Sequence, residues 1–263
     1  MMVRNVMIGS DPELFIVNKK TGKVVSSIGI IPGEKGNAYR SPDMPEGYGL
    51  QIDNILAEFN IPPAKTKQEF INSINYMKKY IQDFVKNINP DLDIMCVSSA
   101  IVDNDQLQSE EAKLFGCSVD YNAYTEEPNP KPEGERTNLR STGVHWHISY
   151  DNPNQNTSLE LIKYLDMFVG IPSIILDTDK RRRELYGKAG CFRLCKYGFE
   201  YRVLGGFAII NDDMMSIIWD QVMKALKAFN EGVPLINAVT VQHVINSSDI
   251  NKAKELIQKY NLM

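Results

Sequence analysis

Four short stretches of this chain alternate charged or metal-binding side chains with apolar ones at a strict period of two. Ser10–Val17 sets Asp11 and Glu13 against Leu14 and Ile16, and Ile55–Ile61 sets Glu58 and Asn60 against Ile55, Phe59 and Ile61. Val144–Tyr150 sets His145 and His147 against Val144, Trp146 and Ile148, and Phe199–Leu204 sets Glu200 and Arg202 against Phe199, Tyr201 and Val203. Side chains two apart on a strand share a face, so each stretch reads as a strand with one polar and one apolar side. Antiparallel sheets tolerate such two-sidedness, whereas buried parallel strands read as nearly unbroken apolar runs. A solvated face would carry mainly Lys, Thr, Ser and Gln. Here it carries Glu, Glu, His, His, Glu and Arg, and two of the chain's three histidines flank one tryptophan. Carboxylate oxygens beside an imidazole suit Mg²⁺ or Mn²⁺ better than zinc.

The rest of the chain mixes helices with these strands. Further strands are expected at Val6–Ile8, Lys23–Ser27, Leu50–Asp53 and Ile94–Val102, with a hairpin across Asp53-Asn54 and a sharp stop at Pro62-Pro63. Thr66 and Glu69 form a capping box that opens an amphipathic helix through about Ile88. A short helix is expected over Ser109–Phe115 and a long loop over Thr125–Asn138. A helix capped by Ser158 should run through Phe168, be interrupted at Pro172 and resume through Arg183 towards Tyr186. Asp212–Glu231 ends at Gly232, and a last helix follows Ser248 or Asp249. No glycine-rich turn follows a strand and no tidy βαβ unit occurs, so the pattern indicates a single α+β domain over residues 1–263 rather than a Rossmann or P-loop fold.

The formal net charge of −4 gives no basic footprint for nucleic acid. No stretch has the apolar length of a membrane span, and no signal-like segment opens the chain, which points to a cytoplasmic protein. Cys96, Cys117, Cys191 and Cys195 show no CxxC pairing and read as reduced thiols. Arg181–Arg183, Tyr186-Gly-Lys-Ala-Gly190 and Arg193 place a glycine-containing loop between cations, a combination able to hold polyphosphate.

In this order, Gly9–Phe15, Asp53–Pro62, Thr142–Ile148 and Arg183-x-x-Tyr-Gly-x-x-Gly-x-x-Arg193 running on to Tyr197–Leu204 resemble the phage-associated COOH–NH2 ligase family (type 2). That family lies in the glutamine synthetase/glutamate–cysteine ligase superfamily; Gly116–Ala123 resembles a family segment more loosely. The resemblance implies a curved antiparallel sheet with helices on its convex side, and ATP and Mg²⁺ (or Mn²⁺) on its concave side. Residue by residue, it implies Glu13, Glu58, His145 and Glu200 as metal ligands, with His147 in or beside that shell. It implies Arg202, Arg193, Arg183, Tyr186 and His147 as nucleotide contacts, with Arg202, Arg193 and Glu200 taking part in catalysis. The implied reaction joins a small-molecule or peptide carboxylate to an amine through an acyl phosphate, in a host cytoplasm if the gene is a phage's. Asn54 and Thr142 depart from the glycines usual at those places. Two other readings compete: a catalytically silent ligase-fold protein that only binds or scaffolds, and a cupin-like metal enzyme. The cupin reading lacks a glutamate at the required spacing, and His243 lies in an apolar helical context. Substrate identity and oligomeric state are not legible.

Overall fold

The computed structural model describes residues 2–113, 120–130 and 137–263. Its centre is a ten-stranded sheet whose pairings are all antiparallel. The main path runs β3 (Lys23–Val25), β2 (Glu13–Asn18), β5 (Leu56–Ala64), β1 (Met7–Ser10), β10 (Trp146–Ser149), β12 (Gly198–Tyr201), β11 (Cys191–Cys195) and β8 (Tyr121–Asn122). β4 (Gly49–Asp53) adds to β5 and β6 (Leu92–Met95) adds to β2, while β7 (Ser99–Ile101) and β9 (Leu139–Ser141) make a separate pair.

The alternation works as the sequence implies. Trp146 and Ile148 stand opposite Tyr201 and Phe199, giving an apolar face, and His147 stands opposite Glu200 on the other. Helix α1 (Lys67–Ile88), opened by the Thr66–Glu69 capping box, lays Phe70 on Trp146 with ring centroids 4.6 Å apart. Trp219 of the long helix Asp212–Glu231 packs against the same pair. The helical layer therefore covers one side of the sheet and leaves the polar side to the site.

Several expected boundaries move, each for a local reason. The hairpin forms, but its turn is Asn54-Ile55, with Asn54 at φ +59°, a left-handed conformation that asparagine and glycine tolerate best. The strand does not stop at Pro62-Pro63. β5 continues to Ala64 because its register with β1 slips between Ile61 and Ala64, and prolines fit where the ladder is irregular. The segment expected as one strand over 94–102 breaks at Cys96–Ser98, where Thr142 uses Oγ1 to bond Val97 O and N–H to bond Ser98 O. Thr142 also accepts from Gly206 N, which explains a hydroxyl rather than a glycine there.

Asn154, not Ser158, caps the helix α3 (Gln155–Leu165); Ser158 is buried inside it, bonded to Tyr150 at 2.7 Å. Pro172 does not interrupt that helix. A π-helical turn, Asp166–Gly170, leads straight into α4 (Ile171–Leu176), with Pro172 placed just after the wide turn. The helix then stops at Leu176 instead of reaching Tyr186, and a single turn, α5 (Arg182–Leu185), starts afresh. The 109–115 helix is seen as α2 (Glu110–Lys113); Cys117, the first part of the 116–123 segment and most of the 125–138 loop's second half lie outside the described residues. No helix among the described residues is long and apolar enough to cross a membrane.

Candidate active site

The polar face gathers residues from all four alternating stretches into two adjoining groups. In the first, Glu13 on β2 is the direct cross-strand neighbour of Glu58 on β5, and Asp53 at the end of β4 joins them. Each contributes an oxygen within 4.8 Å of the others. Like charges directly opposite on a sheet repel. Lys35, 3.0 Å from Asp53, answers only that edge of the group. Burial, reinforced by Asp53, pushes Glu13 up to about 8, and burial with Asp11 and Glu13 pushes Glu58 well above the usual carboxylate range. Gly143 N–H donates to Glu13 Oε2 at 2.6 Å and Glu13 N–H returns a bond to Gly143 O, tying β2 to the histidine segment.

The second group has the opposite proton affinity. Asp11, His147 and Glu200 also bring donor atoms within 4.8 Å of one another. Burial alone would raise Asp11, but the adjacent His145 and His147 outweigh it and hold its carboxyl well below the usual range. Glu200 is likewise lowered: burial and Asp11 raise it, while His147, His145 and Arg202 more than compensate. His147 is raised because Asp11 outweighs burial. The hydroxyl of Tyr197 lies 2.9 Å from His147 Nδ1 and orients the ring. His147 Nε2 lies 3.1 Å from Asp11 Oδ1 but is misaligned for a hydrogen bond, and is buried without a partner among the described residues. An orphaned imidazole nitrogen between two carboxylates fits a cation, as do three mutually repelling carboxyls.

His145 bridges the groups without belonging to either donor set. Its Nδ1 is 2.8 Å from Asp11 Oδ1 and 3.1 Å from Arg202 Nη1, and burial together with Arg202 lowers its basicity. A neutral ring donating Nδ1–H to Asp11 leaves Nε2 as acceptor above Gly143, where a side chain's Cβ would sit only 2.5 Å from it. This explains the glycine before the first histidine.

The expected arginines divide. Arg202 Nη1 donates to Glu200 Oε2 at 2.8 Å, and Arg193, on β11 opposite Glu200, comes within 3.1 Å of the same oxygen. Arg193 thus stands on a strand rather than in a loop. Arg183 is not brought to this face. It is buried in the helical layer, where it donates to Ser173 Oγ at 2.9 Å, and burial pushes it down to about 10. Its neighbour Arg182 points into the site instead. Arg182 lines a cavity of about 50 Å³ with Tyr186, Arg202, Glu13, Asp53 and His145, joined by Arg140 and Asp120.

Sequence reasoning did not select Asp53, Asp120, Arg140 or Tyr197 as site residues, named Arg182 only within the Arg181–Arg183 cluster, and read Asp11 only as sharing a face with Glu13. Asp11's position two before Glu13 was the one usable signal. Cys191 is buried and donates to Asp120 at 2.7 Å; Cys96, Cys191 and Cys195 are all free thiols.

Residues 135–228 match the family model described as Phage phiEco32-like COOH.NH2 ligase-type 2. This agrees with the family that the motifs resemble, and the matched stretch carries His145, His147, Arg193, Glu200 and Arg202. A comparison with curated proteins gave no match.

Proposed function

We propose that the chain is an ATP- and Mg²⁺-dependent (or Mn²⁺-dependent) carboxylate–amine ligase, a single catalytic domain on a curved sheet of the glutamine synthetase kind, acting in the cytoplasm on an amino acid, peptide or protein end. One observation carries the reading. Two adjoining carboxylate-based donor sets, Glu13/Asp53/Glu58 and Asp11/His147/Glu200, occupy one sheet face together with the guanidinium groups of Arg193 and Arg202.

In the proposed reaction a carboxylate oxygen bonds to the γ-phosphorus as the bond to the β-phosphate oxygen breaks, releasing ADP. The amine nitrogen then bonds to the acyl carbon while the C–O bond to phosphate breaks. Phosphate leaves with that electron pair, and the amine proton passes to a base. A divalent cation, when bound, supplies neutralisation of phosphoryl oxygens. Glu13, Asp53 and Glu58 would hold one such cation, and Asp11, His147 and Glu200 another. Tyr197 keeps Nε2 of His147 turned to that second set by holding Nδ1. Arg202 and Arg193 place positive charge beside Glu200, where it can stabilise charge developing on a transferring phosphoryl group. The low exposure of Glu58, His145, Glu200 and Arg202 favours exclusion of water, which would otherwise hydrolyse an acyl phosphate.

The test is calorimetric titration of ATP with MgCl₂ or with EDTA, followed by assay of ADP release in a mixture of carboxylates and amines. ATP binding should require the cation, and Glu200→Gln should abolish ADP release. Equally tight ATP binding in EDTA, or turnover unaffected by Glu200→Gln, would sink the reading.

A further inference from the structure

Arg182 is a buried cation whose charge is favoured at a distance by Glu13 and Asp177 but met by neither in a direct ion pair. It is 3% exposed, yet no carboxylate among the described residues forms an ion pair with it. Its guanidinium is fixed instead by two backbone carbonyls: Nε donates to Thr142 O and Nη1 to Val203 O, both at 2.7 Å. Those bonds use Nε–H and one N–H of Nη1, and leave the other N–H of Nη1 and both of Nη2 without an acceptor among the described residues, in a side chain that lines the cavity. Burying an unpaired guanidinium is costly, and the cost is tolerated when an anion arrives to share the site.

The backbone around Arg182 is shaped for it. Gly187, at φ +72°, would place a Cβ directly onto Arg182 Nη1, and Gly205 would place one 2.6 Å from Arg182 Cδ. Any side chain at either position would collide with Arg182, so the arginine passes through a slot walled by two glycines. Arg140 on the same cavity differs: its Nη1 and Nη2 bond the carbonyls of Thr137, Leu139 and Ala112.

We infer that Arg182 is the seat for a carboxylate group of the ligand. Cavity size selects a carboxylate over a nucleotide phosphate chain. About 50 Å³ holds on the order of three or four waters at roughly 10–15 Å³ each, which matches a carboxylate and is far too small for a triphosphate. The planar fork of the guanidinium complements two carboxylate oxygens, and Tyr186 on the same wall adds a hydroxyl. Describing that carboxylate as the substrate's rests on the ligase reading; the existence of the seat does not.

The test uses the ¹⁵N-labelled full chain and follows the Arg182 Nε–H resonance during titration with sodium acetate, with acetamide as neutral isostere and methyl phosphate as rival anion. A saturable shift with acetate, absent with acetamide and weaker with methyl phosphate, is expected. Arg182→Lys should weaken acetate binding about tenfold or more, the loss expected for one charge-assisted bond in a fork, while Mg²⁺-dependent ATP binding persists. Equal responses to acetate and acetamide, tighter binding of methyl phosphate, or unchanged acetate affinity in folded Arg182→Lys would each overturn the assignment. If the lysine variant does not fold, the wild-type contrast between acetate and acetamide decides. Loss of ATP binding in the wild type would count against the ligase reading and leave the seat to be judged by acetate.

Discussion

The crowding of Glu13, Glu58 and Asp53 makes a quantitative demand on stability. Glu13 has an ordinary proton affinity near 4.5 in the unfolded chain and one pushed up to about 8 in the native protein, chiefly by burial and then by Asp53. The native state therefore holds this proton more tightly than the unfolded state. Stability is fully present below about pH 4.5 and falls as pH rises through about 8, because the unfolded chain can release the proton freely. At ~1.36 kcal/mol per tenfold change in proton affinity, the loss is roughly 3 kcal/mol at pH 7 and approaches about 5 kcal/mol above pH 8. For a chain of this size that is a fall in Tm on the order of 6–10 °C. Glu13→Gln removes this contribution. A cation held by the three carboxyls would remove it as well, by occupying the place of the proton.

The assay is thermal unfolding of wild type and Glu13→Gln from about pH 5 to about pH 8, in EDTA and in MgCl₂. Asp166, pushed up to about 7 by burial, adds its own loss of stability over part of this range. Both proteins share that contribution, so the difference between their curves reports Glu13 together with its effect on neighbouring Glu58. In EDTA the wild type should lose more stability with rising pH than the variant. Mg²⁺ should restore the wild type near pH 8, do little near pH 5, and help the variant less. Parallel curves in EDTA, or an equal Mg²⁺ effect at both ends of the range, would refute the claim that repulsion within this carboxyl group awaits a cation.

Two further outcomes follow from other contacts. Asp166 is fully buried and accepts from Tyr201 at 2.8 Å, Tyr124 at 3.0 Å and Gly190 N–H at 2.6 Å. Asp166→Asn cannot accept all three, and should cost about 2 kcal/mol near pH 5. Its stability curve should also be flatter between about pH 4 and 7, because there the unfolded wild-type chain releases the Asp166 proton while the native protein keeps it; chemical denaturation across that range checks both points. Tyr197→Phe removes the partner of His147 Nδ1. It should leave stability within about 1 kcal/mol of wild type but weaken Mn²⁺ binding roughly tenfold or more, because the imidazole is no longer held towards Asp11 and Glu200, a loss readable by electron paramagnetic resonance; unchanged Mn²⁺ affinity would contradict the orienting role.

What the sequence made legible was the face, and what it hid was the placement across it. Period two was enough to put Glu13, Glu58, His147 and Glu200 on the polar side of strands. Their pairing, Glu13 with Glu58 and His147 with Glu200, depends on the register of β2 against β5 and of β10 against β12, which alternation alone leaves open. The residues that were missed or misassigned share a trait: irregular backbone positions them. Asp11 lies in the gap between two strands, and Asp53 precedes the left-handed Asn54. Arg182 begins a single helical turn and threads between Gly187 and Gly205, while Arg183, one residue on, faces the helical layer. Composition cannot distinguish three consecutive arginines; one residue of rotation at a helix start decides which enters the cavity. The regular strands thus supply a surface of the right charge, and the breaks between them aim individual groups at a common point. On this account, a change at Gly187 that carries no charge should disturb the site more than a charge change at exposed Arg181.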